Sequence, residues 1–129
     1  MVGLVVVSHS AKAAEGICEV AAEMGSAEAE IVPAGGDDDG GIGTSTQRIN
    51  EAIERARDDD GAVVLVDLGS AVMNAELAIE MLDTDDVRIA DAPILEGTLN
   101  AAVTAAGSKA TLDSVVEAAE DARDYRKLN

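Results

Sequence analysis

Val2-Gly3-Leu4-Val5-Val6-Val7-Ser8-His9-Ser10 opens the chain with an unbroken apolar run that stops abruptly at three polar residues. The same pattern returns at Ala62-Val63-Val64-Leu65-Val66, which stops at Asp67-Leu68-Gly69-Ser70. A strand with no polar residue offers no face to water, so both runs read as strands buried on both sides of a parallel sheet. Between and after them lie segments with helical spacing. From Ala11 to Met24 the apolar residues Ile17, Val20, Ala21 and Met24 share one helical face, and Glu15, Glu19 and Glu23 share the other. A second strand is expected from Glu28 to Pro33, and a second helix is marked by Ile49, Ala52, Ile53 and Ala56. A third helix follows Gly69-Ser70 with Met73, Leu77 and Met81 inward, and a fourth strand covers Val87 to Ala90. Leu95, Leu99, Ala102, Val103 and Ala106 mark a fourth helix, and Leu112, Val115, Val116 and Ala119 a fifth.

Strict alternation of strand and helix requires right-handed crossovers and helices on both sheet faces. The expected fold is therefore α/β and doubly wound, with a mainly parallel sheet of about four strands in the order 2-1-3-4. With 129 residues and 13.1 kDa, the chain has the size of one domain, and residues 1–129 are expected to form a single unit. In such a sheet, ligands collect beyond the carboxyl ends of the strands, where the winding reverses. Here that crevice lies between the first and third strands, so Ser8-His9-Ser10 and Asp67-Leu68-Gly69-Ser70 face the same space.

Composition removes several functions. Against 26 acidic residues stand nine Lys plus Arg, a net charge of -17 that disfavours nucleic acid, whose phosphates need cations. No apolar run has the length of a membrane span and the N-terminus carries no basic leader, so a soluble cytoplasmic protein is expected. One cysteine, Cys18, allows no intrachain disulfide, and its helical setting reads as a small core residue. So many carboxylates with only Lys12, Lys109 and Lys127 as lysines suit a halophilic protein, since molar salt shrinks the Debye length to about 3 Å and screens the repulsion.

His9 is the lone histidine, and at a crevice mouth an imidazole can act as base, metal ligand or nucleophile. One His and one Asp are too few for a metal, and Asp37-Asp38-Asp39 lacks the alternating spacing of a calcium loop. No built-in metal and no cofactor is expected. A serine hydrolase through Ser8 or Ser10 is awkward, because neighbouring side chains at a strand end diverge, and no G-x-S-x-G elbow is present. The nucleophilic imidazole remains. A carboxylate at Asp67 accepting the proton of one ring nitrogen leaves the other free to attack, and it stabilises the cation formed on phosphorylation. Helix amino ends near Ala11 and Ser70 offer N–H groups to the phosphate oxygens. An alternative use of Asp67 is as a helix cap. The loop Gly35 to Gly43 follows neither the Walker nor the dinucleotide pattern and reads as a flexible rim, ending where Thr44 or Ser45 caps the second helix.

Four blocks now stand in order: Leu4-Val5-Val6-Val7-Ser8-His9-Ser10, Ile42-Gly43-Thr44, Val66-Asp67-Leu68-Gly69-Ser70-Ala71, and Ala92-Pro93-Ile94-Leu95-Glu96-Gly97-Thr98. Together they resemble the DhaM family, the phosphotransferase subunits of phosphoenolpyruvate-dependent dihydroxyacetone kinase, with a mannose-family IIA-like fold. The resemblance implies that His9 accepts phosphate from the phosphocarrier HPr and passes it to ADP on DhaL, which serves dihydroxyacetone bound to DhaK. It also implies a homodimer. The candidate set is then His9 and Asp67 for catalysis, with Ser10, Thr44, Gly69 and Ser70 around the phosphate. The chain lacks the HPr-like domain of some relatives, so a separate donor is expected. Two other readings remain open: a IIA component of a mannose-family sugar transporter, and a noncatalytic anion-binding regulatory module.

Overall fold

The crossovers place four parallel strands side by side in one sheet, in the expected order second, first, third, fourth. The structure, a computed structural model, describes residues 1–25 and 29–128. Its strands are β1 (Gly3–Ser8), β2 (Ile31–Gly35), β3 (Ala62–Val66) and β4 (Val87–Ala90). Its α-helices are α1 (Ala11–Met24), α2 (Thr46–Ala56), α3 (Ser70–Leu82), α4 (Ile94–Ala105) and α5 (Leu112–Asp121). The second strand begins later than Glu28 and runs on to Gly35; the expected start at Glu28 lies outside the described residues. Among the described residues, no helix is long and apolar enough to cross a membrane.

Every residue of β1 is buried, and alternate side chains serve two cores. Val5, Val7 and Val64 point toward α2 and α3, where they meet Ile49, Ile53, Ala71, Ala75 and Ala78. Leu4, Val63 and Leu65 point the other way, toward Ala21, Ala101, Ala102, Val115 and Ala119 of α1, α4 and α5. Each fully buried Val or Leu contributes about 1.5–3 kcal/mol of transfer free energy, so the strands anchor both layers.

Three helices, α1, α3 and α4, turn to the sheet a face other than the one their large side chains mark, and α2 does not. On α2, Ile49, Ala52, Ile53 and Ala56 are all buried, as their spacing predicts. On α3 the expected inward residues Met73, Leu77 and Met81 are exposed, and Ala71, Ala75 and Ala78 are buried instead. On α1, Val20 and Met24 are exposed while Ala14, Cys18 and Ala21 are buried. On α4, Leu95 and Val103 are exposed while Gly97, Thr98, Ala101, Ala102 and Ala105 are buried. On α1, α3 and α4 the sheet takes the stripe of small residues, because that stripe lets the helix backbone approach more closely. Gly97 is the extreme: a Cβ there would stand 2.8 Å from Ala92 Cβ and 3.2 Å from Leu65 Cδ2. Burial pushes the Cys18 thiol up to about 11, aided by Glu15, in keeping with a structural role.

Candidate functional site

Strand register brings the two polar turns together. Val7 pairs with Val66, so His9 and Asp67 emerge from adjacent strands at the carboxyl edge of the sheet. The ladder continues one step as the Asp67 N–H donates to the Val7 carbonyl at 3.1 Å. A parallel ladder would next send the His9 N–H to the Asp67 carbonyl, but the Asp67 carboxylate takes that place, with Oδ2 accepting at 2.9 Å. The side chain is thereby locked onto the end of the sheet.

Asp67 accepts three further hydrogen bonds. Ser8 Oγ donates to Oδ2 at 3.0 Å, the Leu68 N–H donates to Oδ1 at 2.8 Å, and His9 Nδ1 lies 3.0 Å from Oδ1. Partial burial pushes this carboxyl up, but the bonds from the His9 N–H, the His9 ring and Ser8 together outweigh it and hold the group below its ordinary value. It is therefore ionised at neutral pH and accepts only, which assigns a proton to Nδ1 and, in the neutral ring, leaves the lone pair on Nε2. Ser70 Oγ sits 3.0 Å from Nε2 and is its donor when the ring is in that neutral tautomer. The His9 and Asp67 side chains retain 23% and 21% of their exposure, so the pair is partly open to solvent.

The remaining candidates separate into two groups. Ser10 is the N-cap of α1: its Oγ accepts from the Ala13 N–H at 3.2 Å, and its own N–H donates to Ser8 Oγ at 3.1 Å. Ser8 is buried, and its hydroxyl proton goes to Asp67, so neither serine of the first turn is bonded to the ring. Gly69 precedes α3 in helical conformation, with no side-chain cap. Asp67 does not cap α3; its bond to Leu68 is local to the turn. Thr44 is partly buried, its Oγ1 accepting from Asn74 Nδ2 at 2.6 Å, while Ser45 caps α2 by accepting from the Arg48 N–H.

The glycine-rich loop is built, in contrast to the flexible rim expected for it. Asp37 Oδ1 accepts from the Asp39 and Gly41 N–H groups at 3.0 and 2.7 Å, and Asp38 accepts from the Ser45 hydroxyl. The loop closes on the site as the Gly43 N–H donates to the His9 carbonyl at 2.8 Å. Glycine is required where it begins, because a Cβ at Gly35 would stand 2.6 Å from the Ser10 carbonyl oxygen. Two residues of this constellation escape a reading of the sequence: Ser8 as a carboxylate donor and Asn74 as the partner of Thr44. Asn74 lies one helical turn beyond Ser70, and that i, i+4 spacing is the signal that points to it.

The family model described as "PTS system fructose IIA component", EIIA-man, matches residues 3–119. A protein of Klebsiella michiganensis, "PEP-dependent dihydroxyacetone kinase, phosphoryl donor subunit DhaM", is 41% identical over 99% of this chain and 28% of its own length. The chain thus spans about a quarter of that relative. A protein of Lactococcus lactis, "PTS-dependent dihydroxyacetone kinase, phosphotransferase subunit DhaM", is 37% identical over 92% of this chain and 93% of its own. Among solved structures, one titled as the unknown function protein EF1359 superposes with a TM-score of 0.81 at 32% identity, covering 100% of both chains.

Proposed function

The chain belongs to the EIIA-man family and, within it, to the DhaM proteins, and from that premise we propose that His9 is a covalent phosphoryl carrier serving dihydroxyacetone phosphorylation. One observation carries the reading: a carboxylate bonded to Nδ1 and a hydroxyl bonded to Nε2 hold a single imidazole tautomer with its lone pair outward.

In the first step Nε2 attacks the phosphorus of phosphohistidine on HPr. The new N–P bond forms as the donor's breaks, and the electron pair of the broken bond stays on the donor ring. His9 then bears phosphorus on Nε2 and hydrogen on Nδ1, a cation that the Asp67 carboxylate neutralises from 3.0 Å. Ser70, displaced from the lone pair, donates instead to a phosphoryl oxygen, and Ser10, Thr44 and Gly69 line the same space. In the second step an oxygen of ADP held on DhaL attacks phosphorus, and Nε2 recovers its electron pair. The ATP so formed phosphorylates dihydroxyacetone on DhaK. This chemistry draws on no cofactor of the chain. We assign the working form as a cytoplasmic homodimer adapted to high salt, with residues 1–129 as one IIA-like unit.

Incubation with phosphoenolpyruvate and the general phosphotransferase proteins is expected to add one acid-labile phosphate, seen as a nitrogen-linked signal in phosphorus NMR. His9→Gln should abolish it with the circular dichroism unchanged, because an amide forms no transferable N–P bond. A wild-type protein that takes up no nitrogen-linked phosphate refutes the carrier role. Delivery from the loaded protein to ADP on DhaL, rather than to a IIB domain, is the expected second readout.

A further inference from the structure

We propose that Asn74 is a positioning residue that sets the polarity of the Thr44 hydroxyl, so that its proton points to the phosphoryl group on His9. This rests on the carrier reading above. Asn74 bridges two threonines at the start of α2: its Nδ2 donates to Thr44 Oγ1 at 2.6 Å, and its Oδ1 accepts from Thr46 Oγ1 at 3.0 Å. A hydroxyl has one proton and two acceptor sites. With an acceptor site of Thr44 taken by the amide, its proton is left to donate elsewhere.

The direction of that donation follows from the neighbours. Thr44 adjoins Gly43, whose N–H is bonded to the His9 carbonyl, and Asn74 lies one turn beyond Ser70, whose Oγ is bonded to His9 Nε2. Thr44 therefore lies between a residue bonded to the His9 backbone and the helix whose Ser70 is bonded to the His9 ring. Three oxygens of a phosphoryl group on Nε2 call for several donors, and among the described residues no Lys or Arg is hydrogen-bonded to His9, Asp67, Ser70, Thr44 or Asn74, which leaves the work to neutral donors. A hydroxyl turned the wrong way would present lone pairs to those oxygens. The α2 and α3 helices are also joined by Asn50 Nδ2, which donates to the Ala78 carbonyl at 3.1 Å, so Asn74 is not their sole link.

The test is a double-mutant cycle on HPr-driven phosphorylation and on the hydrolytic lifetime of phosphohistidine. Asn74→Asp keeps the shape but accepts at both ends, and so consumes the Thr44 proton. Its expected effect is about a tenfold loss in transfer rate, less than the hundredfold or more of a dry oxyanion-hole donor because the His9 and Asp67 side chains stay partly exposed. The loss should persist at about 1 M KCl, where a through-space charge effect is screened. In a Thr44→Val background the same substitution should change the rate by less than about twofold, since the two residues act as one unit. The phosphohistidine phosphorus shift should move in Asn74→Asp and stay put in Thr44→Ser. Asn74→Ala, which removes both bonds without adding charge, serves if the aspartate variant does not fold, with the same dependence on Thr44 expected. Equal losses with and without the Thr44 hydroxyl, or no loss at all, overturn the inference while leaving the carrier role intact. A wild-type protein without phosphohistidine removes both.

Discussion

The two turns that meet at the carboxyl edge of the sheet have the same architecture, strand into helix, and opposite uses of their polar groups. In the β1–α1 turn the serines serve structure: Ser8 is buried against Asp67, and Ser10 caps its helix. In the β3–α3 turn no side chain caps the helix, and the serine is aimed at the ring on the other turn. One turn carries the imidazole and holds its backbone rigid; the other supplies the charge and the donor that control it. The Asp67 carboxylate is bonded within both turns, to Ser8 and His9 of one and to Leu68 of its own, so the fold and the orientation of the ring meet there.

Asp67→Asn strikes both turns and should have the largest effect after loss of His9 itself. An amide accepts only through its oxygen, so two of the four donors aimed at this side chain lose their partner and the tautomer of His9 is no longer held. Phosphoryl transfer should fall about a thousandfold or more, by the precedent of carboxylate-to-amide changes beside catalytic imidazoles. Thermal denaturation should show about 1–3 kcal/mol of lost stability. The pH dependence has a definite sign. The folded carboxyl lies below its ordinary value, so its stabilisation is complete above the unfolded value of about 3.9 and disappears as pH falls through the folded one. Acid titration of Asp67→Asn should lack that component, and an unchanged acid limb contradicts the assignment.

Smaller changes separate the turns. Ser70→Ala should slow transfer about tenfold by removing one donor to phosphorus-bound oxygen, and leave stability within about 0.5 kcal/mol because the residue is exposed. Ser10→Ala should do the converse, costing about 1 kcal/mol through the lost cap with only a modest effect on rate. Urea denaturation and HPr-driven phosphorylation, run on both variants, measure the contrast. A Ser10 variant that loses more activity than stability would erase the division of labour between the turns.

Legibility followed from how local each physical cause was. On α2 the large residues Ile49 and Ile53 are the ones that reach the core, so the periodicity of size and the periodicity of burial coincide. On α3 two stripes share one period: Met73, Leu77 and Met81 against Ala71, Ala75 and Ala78. Hydropathy favours the first, and the sheet accepts the second because the small stripe allows closer approach. The loop of Gly35 to Gly43 reads as unstructured because its order comes from Asp37 and from Gly43 bonded to His9, neither of which has a periodic signature.

The alternation of wholly apolar strands with amphipathic segments was sufficient to establish a parallel sheet with helices on both faces. His9 and Asp67 come to neighbouring strand ends through the order 2-1-3-4, which the alternation allows and the sheet adopts. Which serine reaches the ring was decided in three dimensions. Ser8 and Ser10 flank His9 in the chain but are bonded to Asp67 and to the amide end of α1, while Ser70 crosses from 61 residues away. Hydrogen bonds across such separations depend on strand register and on how close a helix lies to the sheet. Those distances are set by the packing of every layer at once, and no stretch of sequence contains them alone.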